Sequence, residues 1–144
     1  MSFVLGIDTS NYTTSCALLN TDDMTVRSCK KLLPVKQGER GLRQSDAVFH
    51  HTKQLPELMG QLFDEKYDIS AVGYSYAPRC VEGSYMPCFL VGENVAKVVS
   101  LACGVGIERT SHQVGHILAA LYSCGKLDML RSDRPFAAFH VSGG

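Results

Sequence analysis

FVLGIDTSNYTTSCALLN, residues 3–20, decides how the chain is read. FVLGID (3–8) is a short apolar run, TSNYTT is polar and turn-forming, and SCALLN (15–20) is apolar again. That alternation of blocks predicts a hairpin. A third strand is expected at about 25–35, after the turn at Thr21, Asp22 and Asp23. QGERG is then a glycine-punctuated loop. Val48, Leu55, Leu58, Met59, Leu62 and Phe63 recur at helical spacing, which predicts a helix over 45–64. ISAVGYSYA (69–77) alternates like a strand and stops before Pro78.

Beyond it, PRCVEGSYMP is a loop bracketed by prolines. Gly92 is read as preceding a helix over 93–103 that Gly104 ends. VGIERT predicts a strand at 105–110. Ser111 is placed to cap a helix over 111–124 that Gly125 terminates. PFAAFHVS (135–142) reads as a last strand running into Gly143 and Gly144. A strand meeting two glycines normally turns into another strand, so residues 135–144 are expected to open a second lobe outside this chain.

The bulk composition narrows the class. At 144 residues, 45% hydrophobic and 19% charged, the chain is long enough for one packed core and is not of disordered composition. Fourteen basic and fourteen acidic residues cancel, so no global basic field announces nucleic acid. A local cluster remains at Arg27, Lys30, Lys31, Lys36, Arg40 and Arg43, most simply a solvated surface. Six cysteines form no CxxC pair, and several lie among apolar neighbours (SCALL, SLACGVG), which suits buried thiols. No leader and no membrane-length apolar run is read, and the expectation is a reduced, cytoplasmic protein.

SHQVGHILAALY (111–122) carries the clearest chemical signal. In a helix, His112 and His116 are stacked at i and i+4, roughly 40° apart around the axis. Two imidazoles so placed can share one metal ion, with further ligands from elsewhere. The alternative is a polar helix face that carries histidines without a ligand. His50 and His51 are the nearest other candidates in type, expected as surface residues of the first long helix.

Taken in order, GIDTS (6–10), VGENVAK (91–97), SHQVGH (111–116) and HVSGG (140–144) resemble the TsaD/Gcp family, also called glycoproteases or peptidase M22-like proteins. That family transfers a threonylcarbamoyl group from an acyl-adenylate to adenosine 37 of tRNA. The resemblance implies an α/β fold, the first lobe of an actin-like ATPase (ribonuclease H-like), with a central mixed sheet flanked by helices. It implies a lobe at 1–134 and the opening of a second at 135–144. His112 and His116 match the family's metal ligands for iron or zinc, the third ligand being an aspartate of the second lobe. Asp8, Thr9 and Ser10 match the first phosphate turn, and Ser142, Gly143 and Gly144 the second, both toward ATP or an acyl-adenylate. tRNA, other proteins of the pathway and a homo- or heterodimer are the implied partners. Without its second lobe the chain is expected to be inactive and to hold metal weakly or not at all.

The pattern also departs from that family. The usual T-S-C-D-E-T turn is TSNYTT, which puts Tyr12 and Thr13 where two acids are expected, and neither can serve as a carboxylate base. GLRQSD replaces the loop G-G-x-x-P-E, and the G-P-G loop is APRCVEGSYMP. Gln113 follows His112, where a zinc peptidase has its glutamate base, so hydrolysis by that route is not expected. The resemblance therefore implies a divergent paralogue of the transferase. A nucleotide-binding scaffold in a tRNA-modification complex, or a carbamoyltransferase with another acceptor, are the alternatives.

Overall fold

The computed structural model describes residues 1–35, 41–139 and 141. A five-stranded mixed sheet runs in the order β3-β2-β1-β4-β5, from β1 (Phe3–Asp8), β2 (Thr13–Asn20), β3 (Val26–Leu32), β4 (Ile69–Ala77) and β5 (Gly106–Ser111). The first three strands are an antiparallel meander, and β4 and β5 add to β1 in parallel. Three helices accompany the sheet: α1 (Gln44–Leu62), α2 (Phe89–Cys103) and α3 (His112–Ser123).

Period-2 alternation gives the sheet two different faces. Leu5 and Ile7 of β1, Cys16 and Leu18 of β2, and Val72 and Tyr74 of β4 are buried with Leu55, Leu58 and Leu62 of α1 and Val91 and Ala96 of α2. The alternate positions, among them Gly6, Asp8, Ser15, Ala17, Gly73 and Ser75, line an open groove on the other side. That groove is bounded at its far edge by α3.

Each predicted element exists, with boundaries shifted by a few residues at most, except at two places. The helix expected from residue 93 begins at Phe89, so Gly92 lies inside α2 and not before it. The close approach of β1 explains a glycine there: a Cβ at Gly92 would stand 2.9 Å from Thr9 Oγ1 and 3.2 Å from Ile7 Cγ2. At the other end, residues 135–139 and 141 form no strand. Phe139 and Val141 are almost fully exposed, with no ladder partner for their backbone among the described residues. Ser142, Gly143 and Gly144 lie outside the described residues, as do Lys36, Arg40 and most of QGERG.

The reading of the cysteines needs correction in one place. Cys103, expected to be buried, is exposed at the last turn of α2, whereas Cys16 and Cys88 are buried. Ile117, Leu118 and Leu121 are only half-buried, and α3 has no buried residue, because it packs along the sheet edge and not under a second layer. Within the basic cluster, Arg27 pairs with Asp64 at 2.8 Å and Lys31 with Glu57 at 3.0 Å, so part of its charge is locally offset.

His51 is the largest departure. Expected on the surface, it is fully buried between α1 and β2. Gln54 Nε2 donates to the Leu32 carbonyl (3.1 Å), which turns Gln54 Oε1 toward Thr14. The Thr14 hydroxyl donates to that oxygen (2.9 Å), so its contact with His51 Nδ1 (2.7 Å) requires the imidazole to donate. The proton is therefore on Nδ1, and Nε2 is a buried bare acceptor without a hydrogen-bond partner. Burial pushes His51 down to about 4, offset in part by the Asn11 backbone.

A group whose charged form is disfavoured by folding costs stability as pH falls below its unfolded value. The gap between 6.5 and about 4 corresponds to about 3 kcal/mol at most. The stability advantage of wild type over His51→Gln should therefore shrink from pH 7.5 to pH 4.5 by up to that amount. Urea midpoints at the two pH values measure it, and an advantage constant with pH would contradict a neutral, buried His51.

Candidate functional site

β1 ends at Asp8, and the turn that follows is held by its own side chains. Ser10 N donates to Asp8 Oδ1 (2.8 Å), the local turn that aspartate favours, and Thr13 N donates to Ser10 O (3.1 Å). Asn11, at φ 36°, takes the left-handed conformation that asparagine tolerates better than most residues. Thr9 points the other way. It is fully buried, donates to the Cys88 carbonyl (2.9 Å) and accepts from Gly92 N (3.0 Å), pinning the start of α2 to the end of β1.

α3 is aimed into the same corner. Ser111 caps it by accepting from Val114 N (3.3 Å), and Gln113 N donates to the Pro78 carbonyl (3.0 Å). His112 Nδ1 then reaches Asp8 Oδ2 at 2.7 Å, and the same oxygen accepts from Ser75 Oγ at 2.6 Å. One turn on, His116 Nε2 lies 2.8 Å from His112 Nε2, with the rings nearly perpendicular at 79°. Asp8 is thus the hub of a chain Ser75–Asp8–His112–His116.

The electrostatics follow from that hub. Burial works against ionising Asp8, but hydrogen bonds from His112, Ser10 and Ser75, with the charge on His112, outweigh it and hold the carboxyl at about 2. The hydrogen bond to Asp8 raises His112 above its ordinary value, against an opposing effect of burial. A carboxylate on Nδ1 keeps the proton there in the neutral ring, so Nε2 presents a lone pair toward His116. Carboxylate–histidine–metal arrangements use this division of labour. The donor set therefore fits a metal held by His112 and His116 Nε2. Among the described residues no group of three or more His, Cys, Asp or Glu could complete the site.

The groove beside this cluster has a volume of about 1350 Å³. Asp8, Ser10, Tyr12, Thr13, His112 and His116 line it, while Thr9 is buried behind it. Of the expected site residues, the structure thus brings Asp8, Ser10, His112 and His116 together, and gives Thr9 a structural contact. Asp8 joins the histidines directly. Ser75 escaped the sequence reading, although its signal was there: it is a polar residue in ISAVGYSYA, one position past the Tyr74 that pairs with Ile7, and so beside Asp8.

A parallel–antiparallel sheet with helices and a carboxylate turn after its first strand defines a lobe of the actin-like ATPase fold. The solved structure YeaZ from Pseudomonas aeruginosa superposes with a TM-score of 0.59 over 87% of this chain and 51% of that one, at 19% identity, which bears on the fold alone. In sequence the chain is a divergent relative of the tRNA N6-adenosine threonylcarbamoyltransferases (TsaD). It is 30% identical to that of Methanopyrus kandleri over 132 residues, 86% of this chain and 35% of the relative. It is 28% identical to that of Pyrobaculum calidifontis over 131 residues, 88% and 37% of the two. With that of Campylobacter curvus the match is 27% over 143 residues, 98% and 39%. The chain thus spans a little over a third of the length of these curated relatives. No family model matches.

Replacing Asp8 removes what raises His112 and leaves the burial that lowers it. In Asp8→Ala the imidazole should titrate below its usual 6.5, where wild type titrates above it. NMR titration of the His112 ring protons decides this, and an unchanged midpoint would break the Asp8–His112 link.

Proposed function

We propose that the chain is the histidine-bearing lobe of a metal-dependent acyl transferase of the tRNA threonylcarbamoyl type. The observation that carries the reading is the pair of convergent Nε2 atoms on α3, one ring fixed by Asp8, at the edge of a large groove. His112 and His116 would hold a divalent metal, iron or zinc. Such an ion supplies Lewis acidity, which favours charge building on a carbonyl oxygen.

The chain's own residues do the positioning. Asp8 holds the proton at His112 Nδ1, Ser75 holds Asp8, and Ser10 keeps the first turn folded over β1. ATP or an acyl-adenylate would lie along the groove, with Asp8 and Ser10 at one wall and Ser142, Gly143 and Gly144 supplying a second turn. On this reading residues 1–134 are one lobe and 135–144 start the next. Phe139 and Val141, exposed and without a ladder partner among the described residues, support it, because an apolar segment of that kind gains a partner when further strands are present. The protein would act in the cytoplasm with tRNA and other proteins of the pathway. Among the described residues no helix is long and apolar enough to cross a membrane.

A second reading, a nucleotide-binding scaffold without turnover, rests on Tyr12 and Thr13. Both line the groove where the family pattern has acids, and Tyr12 is 43% exposed. Nucleoside analysis of tRNA after incubation with the full-length protein and a threonylcarbamoyl-adenylate separates the two. Modified adenosine supports the enzyme; nucleotide binding with unmodified tRNA supports the scaffold.

Metal binding is tested apart from turnover. Full-length protein should take up zinc or cobalt, with cobalt giving the visible bands of an imidazole-bound ion. His112→Ala combined with His116→Ala should abolish uptake and leave the circular dichroism spectrum unchanged, since neither ring is buried in the core. Undiminished uptake in the folded double variant would remove the histidine pair from the metal site.

A further inference from the structure

Cys16 and Cys29 take no part in the Asp8–His112–His116 cluster, although both border the groove, and the sheet places them opposite one another. In the antiparallel β2–β3 ladder Cys16 is the direct partner of Cys29, between the pairs Ser15–Lys30 and Ala17–Ser28. Directly opposed residues of an antiparallel pair have Cα atoms about 4.5 or 5.5 Å apart, depending on the hydrogen-bonding position. Both separations fall within the range of about 4.4–6.8 Å that a disulfide spans. The two side chains also leave the sheet on one face: Cys16 is in the core under α1, and Cys29 packs against that same cluster. Both are free thiols.

Their environments divide the labour. Cys16 is 2% exposed, and burial, with the neighbouring Cys29 thiol adding to it, pushes it up to about 11. It stays protonated and out of reach of solutes. Cys29 is half-buried on the edge strand of the sheet, where solvent reaches it, and Lys30 and Lys31 follow it in the chain. A small oxidant therefore meets Cys29 first, and the product is formed against Cys16.

We propose that Cys16 and Cys29 are a cross-strand dithiol that hydrogen peroxide converts to a disulfide, closing the β2–β3 hairpin covalently. The Cys29 thiolate attacks one peroxide oxygen, the O–O bond breaks, and hydroxide leaves, giving Cys29 sulfenic acid. The Cys16 sulfur then attacks the Cys29 sulfur. The S–O bond breaks, and the hydroxyl departs as water with the Cys16 proton. Overall two thiols and one peroxide give one disulfide and two waters, each sulfur losing one electron. The bond would tie β3 to β2 just beyond the turn that carries Tyr12 and Thr13. A thiol reductant reverses it.

The test is peptide mapping after brief treatment of the folded chain with peroxide and alkylation in denaturant. The peptides carrying Cys16 and Cys29 should be recovered linked, two hydrogens lighter than their sum, and should separate on reduction. In Cys16→Ser, Cys29 should stop at the sulfenic acid and be trapped by dimedone, whereas in Cys29→Ser the Cys16 thiol should survive unmodified. Recovery of the two peptides unlinked from the peroxide-treated wild type, with Cys29 either intact or overoxidised, would overturn the proposal. So would oxidation of Cys16 in Cys29→Ser as fast as in wild type.

Discussion

One carboxylate joins β1, β4 and α3 at the edge of the groove. Asp8 closes β1, accepts the amide of Ser10 from its own turn, the hydroxyl of Ser75 from β4 and a ring nitrogen of His112 from α3. It links the N-terminus of α3 to the end of β1 through side chains 104 residues apart. α3 itself has no buried residue, so its position depends on polar contacts at its N-terminus: Ser111 as cap, the Pro78 carbonyl on Gln113, and Asp8 on His112. A half-exposed ion pair is a modest source of stability. Its value lies in orientation, since a ring held at one nitrogen can present the other in a fixed direction.

The other fixed point is Thr9, one residue on and facing the opposite way. Its hydroxyl is both donor and acceptor in a dry environment, to the carbonyl before α2 and from an amide of its first turn. That double use leaves no room for a side chain at residue 92 and sets how closely α2 approaches β1. Consecutive residues of one turn therefore serve two faces of the sheet: Thr9 organises the helical side, and Asp8 and Ser10 organise the groove.

This division also explains what could be read in advance. Strands and helices were legible because their apolar residues repeat at 2.0 and 3.6, and the caps Ser111 and Gly104 stand where the periodicity stops. His112 and His116 were legible from spacing alone. The partners that fix them were not, because they come from far along the chain: Asp8 lies 104 residues before His112 and 67 before Ser75. His51 was misread for a related reason. A histidine beside a polar run looks solvated, and only the pairing of Thr14 and Gln54 across α1 and β2 gives its ring a buried partner. The start of α2 was missed because Gly92 carries a helix-breaking prior that tertiary contact overrides.

The residues of the first turn then limit what the groove can do with a proton. Among the described residues lining it, Asp8 and Glu108 are the carboxylic acids. Asp8 is committed to three donors and held at about 2, so it is a poor proton acceptor near neutral pH. Tyr12 and Thr13 carry hydroxyls, which are not carboxylate bases. If an amine attacks a carbonyl in this groove, its proton must go to an imidazole, to Glu108, to the substrate's own phosphate or to water. The imidazoles cannot both bind a metal through Nε2 and take that proton there. A working enzyme built on this lobe would thus rely on its substrate, or on residues outside the described part of this lobe, for acid–base chemistry.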